Sequence, residues 1–238
     1  RCWGEGHSGE LGNGRVTNIG DRDLLPPVAS RPLQFPFRVA KLVVGPATTC
    51  ALEEGGDSFA CWGMDDGGVD GGAGTRGTRV TTPGAGPRHM ADARRNETFV
   101  DVRPSSVGTC ALTSAGRVLC YGRGDGGLTG RGDGVPPPAG RAVIPWDDAV
   151  EVDVGGEADA IAVRDAGACI VRRSHGGIVC WGDIPGSDER TTGDDEEPWE
   201  DGYTFAVPRT PAPRDPDAPS ADHVSAGRDF TCVLQNVA

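Results

Sequence analysis

Short apolar runs recur along the chain, each broken by a polar, glycine-bearing turn and then resumed. Cys50-Ala51-Leu52 is followed by Glu53-Glu54-Gly55-Gly56-Asp57 and then by Phe59-Ala60-Cys61. Cys110-Ala111-Leu112, Ser114-Ala115-Gly116 and Val118-Leu119-Cys120 repeat that order. Cys169-Ile170-Val171, Ser174-His175-Gly176-Gly177 and Ile178-Val179-Cys180 repeat it again. Apolar runs of this length, joined by glycine turns, predict β-hairpins. A β-rich segment precedes each hairpin, at 37–44, 98–102, 149–154 and 223–227. The intervening segments, about 4–37, 63–98, 122–148 and 182–222, carry most of the proline and glycine and predict surface loops with an occasional outer strand.

The hairpins place their cysteines on adjacent strands. The members of each close pair are separated by 11, 10 and 11 positions. Directly opposed residues of an antiparallel pair lie about 4.5–5.5 Å apart at Cα, within disulfide reach. The paired recurrence therefore predicts bonds from Cys50 to Cys61, Cys110 to Cys120 and Cys169 to Cys180. Buried free thiols are the competing reading, whereas zinc would need short cysteine knuckles that are absent from the sequence. Cys2 and Cys232 are left over. Cys2 precedes Trp3-Gly4 as Cys61 precedes Trp62-Gly63 and Cys180 precedes Trp181-Gly182, so it has the character of a second-strand cysteine. Thr231-Cys232-Val233-Leu234 matches Thr49-Cys50-Ala51-Leu52 and Thr109-Cys110-Ala111-Leu112, so Cys232 is a first-strand cysteine. The two ends thus hold complementary halves of a fourth hairpin, and a Cys2 to Cys232 bond is expected if they meet.

Second-strand cysteines recur in steps of 59, 59 and 60 residues, which marks a tandem repeat. Glycine turns follow at one offset, at Gly9 and Gly12, Gly68 and Gly71, and Gly127 and Gly130. After Cys180 the same offsets hold Ser187 and Arg190. Cys2-Trp3-Gly4 through Gly9-Glu10-Leu11-Gly12-Asn13-Gly14, with Gly108-Thr109-Cys110-Ala111-Leu112-Thr113 through Gly116-Arg117-Val118, resembles the regulator of chromosome condensation repeat, a β-propeller blade. The resemblance covers nearly the whole chain. It implies an all-β propeller with about four blades visible here against a family norm of seven, the N- and C-terminal strands completing one shared blade. The units run approximately 37–97, 98–148, 149–222, and 223–238 joined with 1–36, within one repeat domain of 1–238. Closure within the chain, a section of a longer ring, and closure between chains through the terminal strands are all open arrangements.

Charge narrows the partners. The formal net charge is -12 over 238 residues, which disfavours nucleic acid and anionic lipid as targets of the bulk field. No apolar run reaches the 18 residues of a membrane-spanning helix. The chain does not begin with Met, so Arg1 reads as an internal or processed start.

Other candidates carry weaker chemistry. Asn96-Glu97-Thr98 is an N-glycosylation sequon, which makes Asn96 the candidate modification site. Arg123-Gly124-Asp125 and Arg131-Gly132-Asp133 spell an adhesion triplet, but both fall in glycine-turn composition and read better as turns. Asp65, Asp66 and Asp70 match no calcium loop, and no metal or cofactor is expected. His7, His89, His175 and His223 stand at no nucleophile or base spacing, so no catalytic residue is assigned. Trp3, Trp62, Tyr121 and Trp181 share one repeat position and read as packing aromatics, while Trp146 and Trp199 fall outside the period. The expected function is a non-catalytic extracellular or cell-surface propeller that presents loops to a protein partner, within a larger surface or filamentous assembly. The resemblance also implies a guanine-nucleotide exchange factor for a small GTPase, or a secreted enzyme inhibitor that covers an active site with its loops.

Overall fold

A computed structural model of the chain describes residues 1–20, 32–65, 78–80, 88–123, 127–130, 143–144, 149–164, 167–174, 176–182, 221–227 and 231–235. The described regular structure is β, with one short 3-10 turn at Ala93–Arg95. Four antiparallel sheets follow one another along the chain. The first holds β1 (Val39–Val44), β2 (Thr48–Glu53) and β3 (Ser58–Asp65), with β4 (Thr78–Val80) and β5 (Arg88–Met90) both on the outer edge of β3. The second holds β6 (Phe99–Pro104), β7 (Gly108–Thr113) and β8 (Val118–Arg123), edged by β9 (Val143–Ile144) and β10 (Val150–Glu151). The third is β11 (Ala158–Val163), β12 (Gly167–Arg172) and β13 (Ile178–Gly182), and the fourth is β14 (Ala221–Ala226) with β15 (Thr231–Gln235).

The predicted hairpins form in the predicted register. Cys50 faces Cys61, Cys110 faces Cys120 and Cys169 faces Cys180. Alternation along each strand then turns the cysteines to one face and the neighbouring Trp62, Tyr121 or Trp181 to the other. Each of the first three sheets is a blade whose cysteine face packs on the next blade. Cys50, Leu52, Phe59 and Cys61 meet Phe99 and Val102. Cys110, Leu112, Val118 and Cys120 meet Ala158 and Ile161. Cys169, Val171 and Cys180 meet Ala221 and Val224. The core is therefore a series of blade interfaces.

Two features differ from the sequence expectation. The apolar alternation at 149–154 is the outer edge of the second blade, since Val150 and Glu151 pair with Cys120 and Leu119 on β8. The first strand of the third blade starts at Ala158 instead. Alternation reports a half-buried strand without saying which sheet owns it. Secondly, each first strand carries a bulge, between Val39 and Lys41, Phe99 and Asp101, Ala158 and Ala160, and Ala221 and His223. The extra residue bends each strand at one point and brings the apolar positions on either side of it to one face.

Candidate functional site

The sequence-predicted cysteines form three bonds, from Cys50 to Cys61, Cys110 to Cys120 and Cys169 to Cys180, each with Cα atoms 4.1 Å apart. All six cysteines are buried. Each bond closes a hairpin of about a dozen residues, and a loop of that size is stabilised by roughly 3 kcal/mol through the restricted unfolded chain. Cys2 and Cys232 correct the expectation, since both are free thiols, Cys2 half-buried and Cys232 exposed. The reason is where each end docks. Gly4 exchanges backbone bonds with Ile19 at 2.6 and 2.9 Å, and Glu10 is held on the first blade. β15 pairs with β14, which packs on β11 of the third blade. Among the described residues the shared blade is therefore not completed within the chain. Burial pushes the Cys2 thiol pKa up, with the N-terminal charge opposing.

The glycine turns connect blades. The indole N–H of Trp62 donates to the Glu10 carbonyl at 2.9 Å, and Thr49 Oγ1 donates to the same oxygen at 2.9 Å. Trp181 makes the same bond to the Leu128 carbonyl at 2.7 Å. Glu10 and Leu128 each stand between the two glycines of a turn, and Gly9, Gly12, Gly127 and Gly130 all have positive φ. Tyr121 replaces tryptophan in the second blade. Its hydroxyl lies 3.4 Å from His89 Nε2 and 3.8 Å from Cys61 Sγ. The His89 ring sits 4.7 Å from that of Phe59, and burial lowers its pKa to about 4. A neutral imidazole is thus a packing element of the first interface. Sequence spacing singled out the aromatic position but not its carbonyl partner, because a backbone oxygen carries no residue identity.

Charged groups line the seam beside these cores. Lys41 reaches Asp101 at 2.7 Å, and Arg103 reaches the other oxygen of Asp101 at 2.9 Å. Arg117 bridges Glu97 at 3.1 Å and Glu151 at 2.7 Å. The second of these bonds raises the Arg117 pKa and lowers that of Glu151. Arg117, Glu151, Asp153 and Glu157 border an open concavity of about 330 Å³. Its guanidinium is already committed to two carboxylates, so the hollow is a polar surface depression.

Asn96 is exposed and has φ 52°, the one positive value at a described non-glycine residue. It ends the 3-10 turn and points the chain into β6. His7 and His223 are exposed. No group of three His, Cys, Asp or Glu side chains suited to a metal occurs among the described residues. No described helix is long and apolar enough to cross a membrane. The Arg131-Gly132-Asp133 triplet, Gly124, Asp125, Asp66, Asp70, Gly68, Gly71, His175, Ser187, Arg190, Trp146 and Trp199 lie outside the described residues.

Blades of antiparallel strands stacked face to face in chain order define a β-propeller. In particular, the chain has the fold of the RCC1 propeller. It superposes on Prp20p from Saccharomyces cerevisiae with a TM-score of 0.71 and 20% identity, covering 99% of this chain and 51% of that one. Yeast RCC1 (Prp20) in complex with Kap60 gives a TM-score of 0.67 and 20% identity, over 99% and 50% of the two chains. Human WBSCR16 gives 0.64 and 13% identity, over 96% and 52%. The chain thus spans about half the length of the solved structures it matches. No family model matches the sequence, and no curated protein does.

Proposed function

We propose that the chain is a non-catalytic propeller module of an oxidising, extracellular or cell-surface setting, holding a protein partner on the polar segments between its blades. The observation that carries this reading is the disulfide at one place in three successive blades. Disulfides form and persist in oxidising compartments, and three bonds buried between stacked sheets are poorly reached by a reductant. The polar groups of the seam support the non-catalytic part, since Lys41, Arg103 and Arg117 are all engaged in ion pairs. The exposed sequon at Asn96 suits the same setting as a glycan attachment site.

Peptide mapping without reductant, on protein taken from its natural source, tests the reading. The six blade cysteines are expected to be paired and the chain to fractionate outside the cytoplasm. Six reduced thiols in a cytoplasmic or nuclear fraction would sink it.

A second reading rests on the likeness to Prp20p, a protein described with binding properties to Gsp1p and histones. Exchange activity toward a small GTPase would show as faster release of bound nucleotide in the presence of this chain. The two readings place the protein in different compartments, so the mapping experiment also separates them.

A further inference from the structure

The chain passes from β5 on the first blade to β6 of the second through a connection whose side chains divide by role. Asp92 caps a 3-10 turn, its carboxylate accepting the Arg94 N–H at 3.0 Å and its carbonyl the Arg95 N–H at 3.0 Å. Asn96 ends that turn in the left-handed region, at φ 52°, which asparagine tolerates better than most side chains. Glu97 then turns inward, its side chain 9% exposed and bonded to Arg117 at 3.1 Å. Thr98 is tied to the second hairpin. Its N–H donates to Ser114 Oγ at 3.1 Å, and its carbonyl accepts the Ser114 N–H at 2.8 Å. Both residues after Asn96 are thus anchored, while Asn96 itself is exposed.

The Asn96 carboxamide also differs from those of the other described asparagines. Asn13 Oδ1 accepts the Arg15 N–H at 2.9 Å, and Asn18 Oδ1 accepts the Gly6 N–H at 3.1 Å. Among the described residues no hydrogen bond engages the Asn96 carboxamide. Of the four asparagines in the sequence, Asn96 alone has Ser or Thr two places on. The residue with the acceptor motif is therefore the one whose amide nitrogen is bare to solvent.

We propose that Asn96 carries an N-linked glycan, and that the glycan is transferred before the second blade closes. This site presupposes the extracellular setting proposed above. The donor class is an oligosaccharide linked to a polyprenyl diphosphate. Asn96 Nδ2 attacks the anomeric carbon and forms the N–C bond. The anomeric C–O bond breaks, the polyprenyl diphosphate leaves with its electron pair, and one amide proton passes to a base of the transferase.

The order of events follows from Thr98. The motif demands Ser or Thr at its third place, so that hydroxyl is read together with the amide. In the folded chain Glu97 is closed under Arg117, and the Thr98 main chain is bonded to Ser114 on both sides. Thr98 Cβ also lies against the first hairpin turn, where a Cβ placed on Gly56 would meet it at 3.0 Å. An enzyme cleft reaches Asn96 there, but not the two anchored residues along with it. Ser114 and Arg117 follow the motif in the chain, so the triplet is unanchored until the second hairpin forms.

Peptide mapping of the protein from its natural source reads the site. The Asn96 peptide is expected to carry an oligosaccharide that peptide N-glycosidase removes. In the same organism, Thr98→Ala is expected to abolish the glycan and Thr98→Ser to retain it, although Asn96 is present in both. The order is read on the full chain made without a transferase, then offered a transferase and a lipid-linked donor. The reduced, unfolded chain is expected to be glycosylated at Asn96, and the oxidised, folded chain to stay bare. Equal modification of the two states would overturn the order. No transfer to the unfolded chain, or a bare Asn96 in natural chains whose six blade cysteines are paired, would overturn the site and leave the proposed setting standing. Six reduced blade cysteines in a cytoplasmic fraction would remove the setting and the site together.

Discussion

Trp181 donates its indole N–H to the carbonyl oxygen of Leu128 at 2.7 Å, across 53 residues of sequence. Both residues are fully buried, so the bond satisfies two polar groups that would otherwise be stranded in the core. Trp62 and Glu10 repeat the bond two interfaces earlier. Trp181→Phe keeps most of the ring and leaves the Leu128 carbonyl unsatisfied, at a cost of about 1–3 kcal/mol. Trp181→Ala adds a cavity and costs roughly 3–5 kcal/mol. Urea unfolding of the two variants against the parent checks both the order and the gap.

The His89 ring gives the first interface a pH dependence. Its folded pKa of about 4 lies below the ordinary 6.5, so the unfolded chain takes up the proton first. The contribution of the neutral ring is fully present above 6.5 and is lost as pH falls through about 4. At 1.36 kcal/mol for each unit, the loss approaches roughly 3 kcal/mol. Denaturation midpoints measured from neutral pH down to about pH 4.5 are expected to fall more steeply for the parent than for His89→Gln. Equal slopes would show that His89 is not the titrating group.

The hairpin turns contrast two glycines. Gly116 has φ +80°, and a Cβ there would meet Glu157 Cβ at 2.7 Å and the Ala158 nitrogen at 3.0 Å. Its carbonyl also accepts the Ala158 N–H, which joins the second blade to the third. Gly55 has φ +96° with open space around it. Gly55→Ala is expected to cost only the backbone strain, about 1 kcal/mol, whereas Gly116→Ala adds a clash with the next blade and costs more than twice that. Thermal melts of the pair separate strain from contact.

Removing one disulfide tests the blade cores. Replacing Cys110 and Cys120 together by Ala opens a short loop and is expected to lower stability by about 2–4 kcal/mol. The second hairpin should still form, because Leu112 and Val118 remain buried against the third blade. Chemical denaturation gives the loss, and hydrogen exchange at Thr113 and Arg117 shows whether the turn persists.

Much of the blade is legible in the order of residues alone. The cysteine spacing and the glycine turns set the hairpins, because strand pairing across a short turn is a local event. The shared aromatic position is legible for the same reason. The ownership of 149–154 is not, since alternation is alike in a first strand and an outer strand. Nor are the bulges, which depend on how each first strand must bend to meet its neighbour. The polar network of Lys41, Arg103 and Asp101 joins residues some sixty positions apart and leaves no periodic trace.

The sequence by itself determined the repeat, the three cysteine-closed hairpins and the complementarity of residues 2–4 with 231–234. Those follow from period, opposed register and residue type, which are properties of a strand and its nearest turn. Tertiary structure alone decided that Trp62 and Trp181 bond to the glycine turns of the preceding unit. It also decided that Cys2 and Cys232 stay apart in one chain. Both outcomes depend on where successive blades place their faces in space, a geometry summed over every interface between them and written in no single one.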